Sequence, residues 1–177
     1  MDEVSLDSSS SENHPYTELT PDSVLEAVEA LGYETDARVF ALNSYENRVY
    51  QIGVFDQPSI IVKFYRPGGW TNEQIHEEHN FTRELVDLDI PVIPPLDFGD
   101  KASLLQHGNF RFSVFEQFAG RPPELDNLDN LLVMGRFVGR LHAVGAMSNF
   151  KHRVELSIER LGVSSRAYLL ENNFIPK

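Results

Sequence analysis

The sequence predicts an α+β fold, and three observations carry that assignment. Short runs with strand character fall at 37–42, 48–55 and 59–65, and again near 103–107 and 110–116. An amphipathic stretch, "TNEQIHEEHNFTRELVDLDI", separates the third run from the fourth. A Gly/Pro linker, "FAGRPPELDN", then leads into a helix-patterned segment. The order is helix, three strands, helix, two strands, linker, helix, with no internal repeat.

Taken in turn, residues 1–19 are polar, acidic and serine-rich and read as a disordered tail. "TPDSVLEAVEALGY" has helix punctuation: Thr20 as N-cap, Pro21 at the first helical position and Gly32 as stop. Val24, Leu25, Val28 and Leu31 form its apolar stripe. Three strand runs follow, and Pro67-Gly68-Gly69 ends the series. The amphipathic helix after them has Ile75, Phe81, Leu85 and Leu88 at helical spacing, and "PVIPP" breaks it. His107-Gly108-Asn109 joins the last two strands. In "LDNLLVMGRFVGRLHAVG", Leu128, Leu131, Leu132, Gly135, Val138, Leu141 and His142 lie on or near one side of a helix. Residues 150–177 read as mixed helix and loop.

Composition narrows the function classes. The 177 residues have 41% hydrophobic and 11% aromatic content, as in a globular protein with a core. The apolar runs are too short to span a bilayer, and no N-terminal export signal is present. The absence of cysteine removes disulfides and thiolate metal sites and suits the cytoplasm. The net charge of −12 is lopsided: ten acidic and no basic residues fall in 1–37, leaving 17 acidic against 15 basic elsewhere. No basic footprint for nucleic acid emerges.

The chemistry-bearing stretch is "LNSYENRVYQIGV" followed by "SIIVKFYRP". Strand alternation puts Ile61, Lys63 and Tyr65 on one face and Ile60, Val62 and Phe64 on the other. A charge inside such a run either snorkels to water from an edge strand or pairs with a carboxylate. The following helix offers Glu73, Glu77, Glu78 and Glu84. Glu78 is three residues from both Ile75 and Phe81, which places it on the inward stripe. Glu77 and Glu84 fall towards solvent, so Glu78 is the better partner and Glu77 the second choice. A lysine held in this way is arranged to meet the α- and β-phosphates of ATP. The loop at 43–48 has no glycine, but Asn43, Ser44 and Asn47 tolerate left-handed backbone or add donors. Taken alone, such a stretch is more commonly an ordinary polar hairpin loop.

"LNSYENRVYQ", "VKFYRP", "EEHNF", "FEQFAGR" and "GRFVGRLH" together resemble the stress response kinase (RdoA-type) family. That family sits within the aminoglycoside phosphotransferase and choline kinase group of protein-kinase-like enzymes. The resemblance runs from about Thr20 to the C-terminus. It implies a protein-kinase-like small lobe, an antiparallel sheet of about five strands plus one helix, over 20–117. The hinge and first helices of an incomplete α-helical large lobe would follow over 118–177. It implies that Ser44 covers the phosphates, Val49 roofs the adenine, Lys63 holds the α- and β-phosphates and Glu78 orients Lys63. At the hinge, the Glu116 carbonyl and Phe118 N–H would receive the adenine edge, with Phe115 at the back. Core packing is the ordinary alternative for both phenylalanines.

The resemblance further implies transfer of the ATP γ-phosphoryl, with Mg²⁺, to serine or threonine of a protein substrate by a cytoplasmic monomer. The family's His-Gly-Asp loop, following Asn and metal-binding Asp do not occur in this chain. "KHRVELSIE" imitates a catalytic loop, but Val154 and Glu159 occupy the positions of the base and the metal ligand. No catalytic residue and no metal ligand is therefore assigned within the chain. His142 reads as a structural histidine, and no histidines show zinc-ligand spacing, although His76 and His79 are three apart. The chain is expected to be an N-terminal fragment that supplies nucleotide binding only, inactive alone and prone to self-association through apolar helix faces after 128. The alternatives are a small-alcohol kinase of aminoglycoside, choline or homoserine type, and a non-catalytic nucleotide-binding or interaction module.

Overall fold

The computed structural model describes residues 15–100 and 102–176, so most of the expected acidic tail lies outside the described residues. Helix α1 spans Pro21–Glu29. The Thr20 hydroxyl accepts from the Ser23 N–H at 3.2 Å, Pro21 occupies the first turn, and Gly32 takes φ +92° just beyond the end. Strands β1 (Thr35–Leu42), β2 (Arg48–Val54) and β3 (Ile60–Phe64) follow as a meander. Helix α2 (Asn72–Asp87) carries a capping box between Thr71 and Gln74. Strands β4 (Leu105–His107) and β5 (Phe110–Glu116) complete a five-stranded sheet, and α3 spans Leu128–Gly145. A π-helical turn at Glu159–Ser164 leads into α4, Ser165–Glu171.

All strand pairs are antiparallel, in the order β1-β2-β3-β5-β4. Strand β3 is central, as its Ile-Ile-Val-Lys-Phe composition requires. Ile60, Val62 and Phe64 point to one face and are buried against Val24, Ala27 and Val28 of α1. Phe64 stacks on Phe112 of β5 with centroids 5.2 Å apart. The opposite face is shared between α2 and a half-exposed strip around Val49, Ile61 and Lys63, the cleft face.

Two details depart from the expected layout. Residues 15–19, assigned to the tail, are packed into the fold. Tyr16 and Leu19 are buried, Tyr16 stacks on Phe110, and its hydroxyl donates to the Glu46 carbonyl at 2.8 Å. Both side chains join the core cluster that α1 and the sheet form. Strand β1 is also bulged between Thr35 and Val39, with Ala37 at φ 63°. The bulge brings the Asp36 carboxylate over Gly53, where any Cβ would collide with it.

Helix α2 docks through Ile75, Leu85 and a buried polar chain that composition did not reveal. His79 is 1% exposed; its Nε2 meets the Tyr65 hydroxyl and its Nδ1 the Ser103 hydroxyl, each at 2.9 Å. The Ser113 hydroxyl, beside Tyr65, donates to the Ser103 carbonyl at 2.7 Å. Phe81 is only half-buried and Leu88 is exposed, so the inward stripe runs through His79 instead. Burial lowers the His79 pKa to about 4, despite the opposing influence of the Glu78 carboxylate. A neutral ring suits this site, where one nitrogen donates and the other accepts. The unfolded chain binds the proton first, so this contribution is full above about pH 6.5 and is lost as pH falls towards 4. We expect denaturant-unfolding stability to fall by up to about 3 kcal/mol across that window, and His79→Gln to remove most of that slope.

Candidate functional site

The cleft face is built by register. Val49 on β2 pairs with Lys63 on β3, which pairs with Ser113 on β5. The neighbouring row is Gln51, Ile61 and Phe115. Paired residues of adjacent strands share a face, so Val49, Ile61, Lys63 and Phe115 all front the cleft. Phe115 is half-buried, where Pro95 of the "PVIPP" segment bridges to it.

Lys63 and Glu78 meet directly. The Lys63 ammonium donates to Glu78 Oε1 at 3.0 Å and lies 4.8 Å from the centroid of the Tyr65 ring. Its side chain keeps 23% exposure, so the ammonium is neither sealed in nor simply solvated. An ammonium has three N–H donors, and Glu78 takes one of them. Glu78 takes a second cation as well: Arg153 donates from Nη1 to Oε2 at 2.6 Å. Burial opposes ionisation of Glu78, but the Lys63 charge and the hydrogen bonds from Arg153 and Lys63 hold its pKa below the usual carboxylate range. One carboxylate between two cations leaves a net positive patch at the cleft wall.

Glu77 has a different task from the one expected. It neither faces open solvent nor pairs with Lys63. Its carboxylate accepts the backbone N–H groups of Lys151, His152 and Arg153. Burial opposes its ionisation, and those three N–H groups outweigh it and lower its pKa. Arg153 itself was missed by sequence reasoning, which treated "KHR" only as an imitation catalytic loop. No local signal could have found it, since its partner lies 75 residues away.

The loop between β1 and β2 adopts its course without left-handed backbone, since no residue in 43–47 has positive φ. The tolerance of Asn for that region is therefore not used. Asn47 Oδ1 accepts the Arg66 N–H at 3.3 Å, which ties the loop to the end of β3. Ser44 is half-buried, with its hydroxyl 3.4 Å from the Leu42 carbonyl. At the other end of the cleft, Glu116 closes β5 opposite Ile60, and Phe118 is 64% exposed. Phe118 is thus not a core residue. A hollow of about 480 Å³ lies there, lined by Ile60, Leu96, Glu116 and Phe118 among others. Its lining does not include Val49, Ile61 or Lys63.

His142 is exposed on α3. Among the described residues, no group of three or more His, Asp or Glu side chains could hold a metal ion. These residues therefore do not by themselves fit Mg²⁺, and no step is derived through a metal. No helix among the described residues is long and apolar enough to cross a membrane.

The chain is similar to known proteins. The model of the phosphotransferase enzyme family matches residues 38–168. Stress response kinase A of Escherichia coli O157:H7 is 39% identical over 158 residues, covering 89% of this chain and 48% of that protein. A Salmonella typhimurium protein named serine/threonine protein kinase RdoA is 37% identical, with the same coverage. The chain thus spans about half the length of the curated relatives it matches. Among solved structures, an amicoumacin kinase in complex with AMP-PNP, Ca²⁺ and Ami superposes with TM-score 0.65 at 19% identity, covering 88% of this chain and 54% of that one. A microcompartment-associated aminopropanol kinase gives 0.63 at 21% identity, covering 81% and 48%. These two show the kinase-like α+β fold. With most of its length matched by the family model, and with close curated relatives named as stress response kinases, the chain belongs to the phosphotransferase enzyme family.

Proposed function

We propose that this chain forms the ATP-binding lobe of a serine/threonine protein kinase of the stress-response type. The observation that carries the reading is the Lys63–Glu78 pair, 3.0 Å apart on the cleft face of the sheet. A lone ammonium on a flexible stem is a poor phosphate ligand, because ordering it costs side-chain entropy. Holding one of its N–H groups on Glu78 fixes it while leaving two donors for the α- and β-phosphate oxygens. Val49 and Ile61, side by side on that face, supply an apolar roof for a purine. The Glu116 carbonyl and Phe118 N–H serve its polar edge, with Phe115 behind. Ser44 caps the phosphates from the loop above.

Phosphoryl transfer depends on positioning and charge neutralisation. The residues of this chain contribute nucleotide positioning, while the acceptor base and the Mg²⁺ ligands belong to the part of such kinases that it does not match. The name of one curated relative, serine/threonine protein kinase RdoA, supports a protein hydroxyl as acceptor. A cytoplasmic, monomeric protein fits the same reading.

In the complete protein, ATP is expected to raise the melting temperature, and Lys63→Ala should abolish that shift; an unchanged shift would remove the lysine from the nucleotide site. The acceptor is read separately, by incubating the complete protein with labelled ATP and either a protein extract or a panel of small amino alcohols. Label appearing in amino alcohols and not in protein would replace the protein-kinase reading with a small-molecule one. Glu78→Gln leaves Lys63 and Arg153 facing each other without a counter-charge. We expect it to cost about 1–2 kcal/mol of stability near pH 7, a modest value because the site is partly open to water. Its carboxylate contribution is present above the ordinary carboxyl pKa and is lost as pH falls through the lowered folded value. The acid-side slope of stability should accordingly flatten in Glu78→Gln, as chemical denaturation from pH 7 to 3 will show.

A further inference from the structure

Residues 150–153, which follow α3, are fastened to α2 at several points. The Phe150 ring packs edge-on against Phe81 of α2 at 5.3 Å. Three successive backbone N–H groups, from Lys151 to Arg153, converge on the Glu77 carboxylate, a compact anion nest. Gln74 serves two ends at once: its Oε1 accepts the Thr71 N–H that caps α2, and its Nε2 donates to the His152 carbonyl at 2.8 Å. Arg153 then reaches inward, stacks its guanidinium 4.5 Å over Trp70, and donates to Glu78 Oε2 at 2.6 Å.

We propose that Arg153 is a positioning residue for the Lys63–Glu78 pair, and that residues 150–153 latch α2 to the segment beyond the hinge. The inference rests on the reading of Lys63 as the phosphate-contacting lysine. Glu78 sits at a cleft wall with its side chain 36% exposed. With Lys63 as its sole partner, it has room to swing towards water and take the ammonium with it. Arg153 occupies the second carboxylate oxygen and is itself clamped, by Trp70 on its face and by Glu77 on its backbone. A planar guanidinium held by stacking loses less freedom per hydrogen bond than a lysine would. The carboxylate is therefore fixed from two directions. Arg153 comes from a segment 75 residues further along the chain, past the hinge and α3. Displacing that segment from α2 releases Glu78, so nucleotide positioning is coupled to how the two parts of the chain sit together.

The test uses the complete protein, with a non-hydrolysable ATP analogue as calorimetric probe and the Glu78 carboxylate followed by carbon-13 NMR titration. Arg153→Gln is expected to weaken analogue binding about five- to ten-fold, with Arg153→Lys recovering part of the loss. In a Glu78→Gln background the same Arg153→Gln change should add almost nothing, because its route of action is already gone. The Glu78 titration midpoint should rise in Arg153→Gln whether or not nucleotide is present. An additive cycle, or an unmoved midpoint, overturns the latch. If Lys63→Ala leaves analogue affinity intact, the nucleotide reading falls on its own, and the titration midpoint alone then decides for or against Arg153.

Discussion

A carboxylate drawn away from bulk water stays ionised only if its oxygens find donors, and Glu78 finds one cation for each oxygen. Lys63 comes from the central strand, and Arg153 from a segment that follows α3. Nearly every other feature near the cleft serves to bring those three groups together. The β2-β3-β5 register puts Lys63 on the cleft face. The capping box sets where α2 begins, and His79 sets its rotation. A slip of one residue in β3 would turn Lys63 into the α1 core and strand its charge there.

The two faces of the sheet illustrate how differently they are held. Against α1, the contacts are apolar, and Val24, Val28, Val62 and Phe64 lose all exposure. Such packing tolerates small shifts of the helix. Against α2, the contacts are polar and directional: Ser103, His79, Tyr65 and Ser113 form one chain, with Glu78 and Lys63 beside it. Hydrogen-bonded buried groups admit few alternative arrangements, because an unmade bond there costs more than a lost methyl contact.

Helix α3 stands apart from this order. Leu128, Leu132, Val133 and Val138 are exposed, so the apolar stripe read in the sequence does not find cover among the described residues. The C-terminal half of α3 does pack, through Phe137, Leu141 and Val144 beside Phe81 and Leu85 of α2, and Arg140 donates to the Leu88 and Asp89 carbonyls. Among the described residues, the C-terminal region meets α2 through that half of the helix and through residues 150–153.

Much of the architecture was legible from local pattern. Thr20-Pro21 and Gly32 bracket α1, strand alternation around Lys63 separated the two sheet faces, and three-residue spacing from Ile75 and Phe81 singled out Glu78 over Glu77. Those are short-range properties, set by backbone periodicity and by where charge is tolerated along one element. Three features were not legible: the packing of Tyr16 and Leu19, the buried role of His79, and the grip of residues 151–153 on Glu77 and Glu78. His79 did carry a signal, being four residues from Ile75 on the inward stripe, but a histidine there reads the same whether it is satisfied or exposed until its partners are known. Periodicity, capping and charge placement within each element were thus decided by the sequence itself. Which distant side chains meet, and above all that Arg153 completes Glu78, was decided only by the tertiary structure, because a contact spanning 75 residues leaves no trace in the local pattern of either partner.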